Sequence, residues 1–203
     1  MKIALIGATG SVGSRIAAEA LSRGHSVTGL VRHPEKAKAA EGLQFEGADL
    51  GKPEELAKLL QGHDAVVSSV RFLDFDAADL LTAMRASGVA RLIVVGGAGS
   101  LKVPSGQLLV ETPGFPDAYK AEAQAGARVL EVLRGTQDVD WTFISPSALF
   151  LPGERTGKFR LGRDELLADA QGKSHVSQED YAIALVDELE SHAHPRQRIT
   201  VGY

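Results

Sequence analysis

Short apolar runs rich in β-branched residues recur along this chain, and between most of them lie longer stretches where apolar residues return at helical spacing. Residues 3–6, 26–31, 43–50, 62–69, 91–95 and 140–144 are too brief for helices and read as strands. The stretches 11–23, 76–87 and 118–134 read as helices, and Pro53 opens another after the third strand. Such alternation builds a parallel sheet covered on both faces. We therefore expect an α/β fold with a doubly wound parallel sheet. Residues 101–117 carry three prolines and no clear period, which predicts a long loop over one edge of the sheet. From Gly153 the pattern changes to turn signals around short apolar pieces, predicting small strands and hairpins. Ser177 with Asp180 resembles a capping box before the apolar face Tyr181, Ala184, Leu185 and Leu189, and residues 198–201 form a last strand. The whole reads as one domain over 1–203, its carboxyl-terminal part a small extension on the substrate side.

The first strand runs into Gly7-Ala-Thr-Gly10-Ser-Val-Gly13 and then directly into a helix. In a dinucleotide-binding turn of the Rossmann type, the first glycine permits the tight turn and the second lets backbone approach a pyrophosphate. The third allows the helix to pack closely on its strand. The helix N-terminus then offers free N–H groups and its positive dipole end to the anion. Gly7, Thr9, Gly10, Ser11 and Val12 are thus the candidate diphosphate residues.

Composition narrows the field. The 203 residues suit one domain with a sizeable core, and cysteine is absent, which excludes disulfides, thiolate metal sites and cysteine nucleophiles. A net charge of -4 without a dense basic run argues against nucleic acid as partner. The amino-terminal apolar run is cut by Gly7 and Gly10 and lacks a signal-peptide cleavage site, so a cytoplasmic location is expected and no membrane partner. Oligomeric expectation is a monomer or homodimer.

Ends of strands supply further candidates, because ligands of open α/β sheets bind at the carboxyl edge. Arg32 follows the second strand, where an acidic residue would bind the ribose 2′-OH of NAD and an arginine instead pairs with the 2′-phosphate of NADP. NADP(H) is favoured over NAD(H) on that ground, with a solvated loop arginine as the alternative. Asp49 and Leu50 follow the third strand and face the expected adenine, although Asp49 serves equally well as a turn-stabilising residue. Ser68, Ser69 and Val70 close the fourth strand; Gly96-Gly-Ala-Gly-Ser100 follows the fifth, and Ser145-Pro-Ser147 the sixth.

Together, the glycine turn, Val31-Arg32, Asp49-Leu50, Gly96-Gly-Ala98 and Ser145-Pro-Ser147 resemble the atypical short-chain dehydrogenase/reductases. Within them the chain is most similar to the NAD(P)-binding group of biliverdin-IXβ reductase, or flavin reductase, and bacterial NADH-flavin reductases. The resemblance spans nearly the whole chain and implies that Ser68, Ser69, Val70, Gly97, Ala98 and Pro146 line the ribose and nicotinamide. Standard members carry Ser after the fifth strand and Tyr-x-x-x-Lys on the next helix. Here Gly97 stands at the Ser place, and Ala123 at the Lys place after Tyr119. Tyr119, the adjoining Lys120 and Ser100 are the remaining candidates for a catalytic proton donor, against a plain surface role for the Tyr-Lys pair.

Loss of the usual acid suits reduction of a flavin or similar planar acceptor, where charge spreads over a conjugated ring and solvent supplies the proton. The expected function is an NAD(P)H-dependent oxidoreductase of that kind; the alternative is a non-catalytic NADP(H)-binding redox sensor. Other signals carry less. His192 and His194 near Glu188 lack a third ligand at suitable spacing, so no metal is expected. Ser145 and Ser147 lack the nucleophile-elbow surroundings of a hydrolase. Glu154-Arg155 reads as a turn-stabilising ion pair.

Overall fold

The computed structural model describes residues 1–39 and 41–203. Alternating side chains along β1 (Lys2–Ile6) show how the layers arise: Ile3 and Leu5 join one buried cluster, Ala4 and Ile6 the other. Both faces of this strand are therefore covered, which is why it reads as a continuous apolar run. On one face lie α1 (Ser11–Ser22) and α5 (Gln178–Ser191), contributing Ile16, Leu185 and Leu189. On the other lie α2 (Pro53–Leu60), α3 (Ala77–Ser87) and α4 (Asp117–Arg134), contributing Leu60, Met84 and Leu130.

The remaining strands are β2 (Ser26–Val31), β3 (Leu43–Gly47), β4 (Ala65–Ser68), β5 (Arg91–Val95) and β6 (Asp140–Pro146), then β7 (Leu149–Leu151), β8 (Arg160–Gly162), β9 (His175–Ser177) and β10 (Gln197–Gly202). An eight-stranded sheet has the order β3-β2-β1-β4-β5-β6-β10-β8, parallel throughout except for β8 against β10. The doubly wound Rossmann architecture is thus as expected. Its chain order reverses between β1 and β4, the topological switch point where such sheets bind ligands. Among the described residues no helix is long and apolar enough to cross a membrane.

Several elements differ from the sequence expectation. Ser145 and Pro146 belong to β6, where they extend the ladder to β10, instead of lying beyond the strand. Predicted hairpins after Gly153 are replaced by β7 paired in parallel with β9 and by β8 added to the main sheet. The reason is a set of side-chain anchors that hold the end of β7 and satisfy the strap 152–157 after it without a neighbouring strand. The first turn of α5 holds it at consecutive residues. Ser177 Oγ donates to the Glu154 carbonyl, Gln178 Nε2 donates to that of Phe150, Glu179 accepts from Gly153 N–H, and Asp180 accepts from Thr156 and Gly157 N–H. Arg155 does not pair with Glu154; its guanidinium grips buried Glu19 on α1 at 2.9 and 3.0 Å. Periodicity cannot reveal such long-range side-chain contacts.

At the amino edge of the sheet, the buried Arg91 guanidinium meets buried Glu188 at 2.7 Å, and His194 Nδ1 lies 2.6 Å from the same carboxylate. His194 thus serves a structural cluster far from the switch point. Removing one partner of a buried pair strands the other charge in low dielectric. Glu188→Gln should lower stability by about 3 kcal/mol in urea denaturation, while affinity for a nucleotide at the carboxyl edge stays unchanged.

The strap anchors imply acid sensitivity. Burial alone would raise the carboxyls of Glu19, Glu179 and Asp180, but their hydrogen bonds outweigh it and hold all three below their ordinary values of 4.5, 4.5 and 3.8. Their contribution is complete above those values and is lost as pH falls through the lower folded ones. Amide exchange corrected for intrinsic rates should show residues 152–157 opening between about pH 5 and about pH 3, ahead of the eight-stranded sheet. Simultaneous opening of strap and sheet would contradict this local anchoring.

Candidate cofactor crevice

The glycine turn is shaped by backbone contacts that admit no side chain. Gly7 adopts φ +82°, and a Cβ there would lie 2.3 Å from the Ser69 carbonyl oxygen. A Cβ on Gly13 would lie 2.2 Å from the Gly7 carbonyl oxygen, so α1 starts in direct contact with the turn below it. Gly10 is different. A Cβ on it would meet only the Gly7 oxygen, at 3.2 Å, and would otherwise occupy open space above the turn. Gly10 is also the N-cap of α1, offers no side-chain cap, and precedes a first turn without acidic residues. Helix N–H groups and dipole are therefore left uncompensated, the arrangement that suits an anion.

Above this turn opens a crevice of about 650 Å³, ordinary for a small-molecule site. Gly7, Thr9 and Gly10 line its centre. Arg32 lines one end from the carboxyl terminus of β2; Asp49 and Leu50 approach from beyond β3, and Ser69 and Val70 from beyond β4. Arg32 is exposed and forms no ion pair among the described residues, so its charge faces the crevice uncommitted. Asp49 has one oxygen engaged, accepting from Gly51 N–H at 3.0 Å. Its turn-holding role is thus visible, and its second oxygen is not used there.

Other expected residues lie elsewhere. Ser68 is buried in the β4 ladder, and Ser11 turns its hydroxyl to Gln178 on α5 at 2.7 Å. Val12, Gly97, Ala98 and Pro146 do not line the crevice; the last three follow or end β5 and β6, farther along the same edge. The three candidate donors form no cluster in the hydrogen-bond network. Tyr119 is 66% exposed, Lys120 lies 3.6 Å from Asp117 on its own helix turn, and Ser100 Oγ accepts from Arg198 at 3.3 Å. At the lysine place, the partly buried Ala123 packs against the loop after β5: a Cβ on Gly99 would stand 2.6 Å from the Ala123 Cβ. Ser145 and Ser147 are fully buried, and Ser147 donates to the Val201 carbonyl.

Sequence reasoning missed Arg71 and Asp74, which also line the crevice. They sit on the turn Phe72–Asp74, fastened to α4 because Glu122 accepts from Phe72 N–H at 2.6 Å and Leu73 N–H at 3.3 Å. Arg71 holds Glu122 only at 3.8 Å and is otherwise exposed. Position just past β4 was the available signal, since that edge had already been singled out at Ser69 and Val70.

A family model described as NAD(P)H-binding matches residues 7–192. A solved structure of a candidate exported protein from Burkholderia pseudomallei is 49% identical, covers 100% of both chains and superposes with a TM-score of 0.90. A candidate epimerase from Bacteroides thetaiotaomicron is 42% identical, covers 100% of this chain and 96% of its own, and gives 0.93. A candidate NADH-flavin reductase from Streptococcus pneumoniae is 36% identical, covers 100% and 99%, and gives 0.86. This chain belongs to the NAD(P)H-binding family, with an oxidoreductase-like Rossmann fold.

Proposed function

We propose that the protein is an NADPH-dependent reductase that passes hydride to a flavin or a similarly planar conjugated acceptor. The single observation that carries this reading is the uncommitted Arg32 guanidinium at one end of a crevice whose centre is an uncapped helix N-terminus. Gly10 leaves open the space that a diphosphate would fill, so the residues present fit a dinucleotide. When bound, the coenzyme supplies a hydride. Gly7, Thr9 and Gly10 hold the diphosphate by backbone, while Ser11 and Val12 contribute first-turn N–H groups. Arg32 forks onto the 2′-phosphate, and Asp49 and Leu50 flank the adenine. Farther along the edge, Gly97, Ala98 and Pro146 bound the nicotinamide ribose side, with Ser69 and Val70 between.

Among the described residues the standard pair for protonating an alkoxide is not assembled, since Ala123 fills the lysine place and Tyr119 stands in solvent. That supports an acceptor whose charge is delocalised and which takes its proton from water. It also disfavours epimerisation, which relies on the missing dyad, although a relative carries that label. The same observation supports a second reading, in which the protein binds NADP(H) as a redox sensor without turnover. The reductase label of a full-length relative favours catalysis.

Fluorescence titration should show tighter binding of NADPH than of NADH. Arg32→Asp should weaken NADPH by about 10- to 100-fold, the worth of a charge-assisted hydrogen bond, with a much smaller effect on NADH. Equal losses would remove Arg32 from the phosphate position. Oxidation of NADPH should accompany addition of FMN or riboflavin; binding without oxidation by any flavin or quinone would select the sensor. With turnover established, Tyr119→Phe and Lys120→Met should each leave kcat within about twofold, because solvent donates the proton. A large loss for either would restore that residue as the donor.

A further inference from the structure

Arg198 is a charged residue in an interior strand, and its side chain is only 3% exposed. Neighbours Ile199 and Val201 face α1 and α5, so Arg198 points to the opposite side of β10. There its guanidinium is divided between partners. Nε donates to Asp164 Oδ1 at 2.8 Å, and Nη2 also reaches that carboxylate. Nη1 donates to Ser100 Oγ at 3.3 Å and Ser145 Oγ at 3.4 Å, and Nη2 donates to the Ser100 carbonyl at 3.3 Å. Burial favours the neutral form of Asp164, but the hydrogen bond and charge of Arg198 prevail and hold the carboxyl below its ordinary value.

What this fork grips is the glycine loop after β5. The loop is pressed against its neighbours at two points where it has no side chains. A Cβ on Gly96 would lie 2.5 Å from the Phe143 ring, and one on Gly99 would lie 2.6 Å from Ala123. Gly97 and Ala98 between them stay half-exposed at the carboxyl edge. Backbone bonds tie the loop at the same two glycines, Gly96 N–H donating to the Ile144 carbonyl of β6 at 2.8 Å and the Gly99 carbonyl accepting from Val110 N–H at 3.0 Å. Arg198 adds the side-chain contact at the loop's far end, through both the carbonyl and hydroxyl of Ser100.

We propose that Arg198 is a positioning residue for the nicotinamide end of the site: it fixes residues 96–100 against β6 so that their backbone and the Ser100 hydroxyl meet the nicotinamide half of the coenzyme. The inference rests on the cofactor reading above and adds to it a distant residue with a defined task. Arg198 touches neither the crevice nor any reacting atom. Its influence is carried by the loop and is confined to one half of the dinucleotide.

Calorimetric titration of the full chain with NADPH and with 2′,5′-ADP separates the halves, because 2′,5′-ADP lacks the nicotinamide. Arg198→Met should weaken NADPH by about tenfold and leave 2′,5′-ADP within about twofold, and Arg198→Lys should recover part of the loss. If Arg198→Met does not fold, Asp164→Asn, at a half-exposed residue, loosens the same guanidinium from outside and should give a smaller loss with the same selectivity. Should the wild type prefer the unphosphorylated coenzyme, NADH and ADP replace the pair. Parallel losses for both ligands, or none for NADPH, overturn the proposal as a purely structural arginine. Wild-type protein that binds no nucleotide overturns the cofactor reading itself; one that binds NADPH no better than 2′,5′-ADP overturns only the nicotinamide subsite and the role of Arg198 in it.

Discussion

Contact of backbone with backbone at the switch point governs this molecule. The Gly7 carbonyl sits where a side chain of Gly13 would be, and the Ser69 carbonyl where one of Gly7 would be. Three elements, β1, α1 and β4, therefore converge at distances that only glycine allows. The approach puts the start of α1 directly over the strand ends and leaves its first N–H groups facing outward. A larger residue at position 13 would have to push α1 away from β1, where Ile16 and Ala17 pack into the core, and one at position 7 would have to push away the chain after β4. The anion site and the seating of the helix are one constraint.

Charge is distributed around that constraint by edge. At the amino edge Arg91, Glu188 and His194 satisfy one another in the interior. Near the start of α5, Glu179 takes Arg15 and Asp180 takes the strap amides, while farther down α1 Glu19 takes Arg155. Two acids, Asp49 and Asp74, line the crevice, Asp49 with one oxygen engaged by Gly51 N–H, and among the described residues no carboxylate pairs with Arg32. Each acid facing the crevice cancels part of the field set up by the helix terminus, so Arg32 and Arg71 on the same lining tip the balance toward an anion.

The fold was legible because its signals are local. Glycine spacing, short apolar runs and caps such as Asp76 with Gly88 depend on neighbouring residues, and the parallel order follows from alternation. That Arg32, Asp49 and Leu50 line the crevice was legible for the same reason, since a residue just past a strand must lie at the carboxyl edge. What escaped depends on contacts between residues far apart in sequence. The strap reads as a hairpin until Ser177 through Asp180 are seen to hold it, and Arg155 seems matched to adjacent Glu154 until Glu19 is brought under it. Arg71 was passed over although it follows Ser69 and Val70 past β4, because residue type alone does not separate a crevice arginine from a solvated one.

The same distinction bears on the missing dyad. Ala123 for lysine reads in the sequence as a lost catalytic group, and in the structure it is also a packing surface, since Gly99 rests against its methyl. The loop fixed at this contact is the one that Arg198 holds at Ser100. With alanine at position 123 and Tyr119 in solvent, neither position of the standard pair holds out a proton donor to the carboxyl edge. That favours a chemistry in which the acceptor, not the protein, accommodates the developing charge.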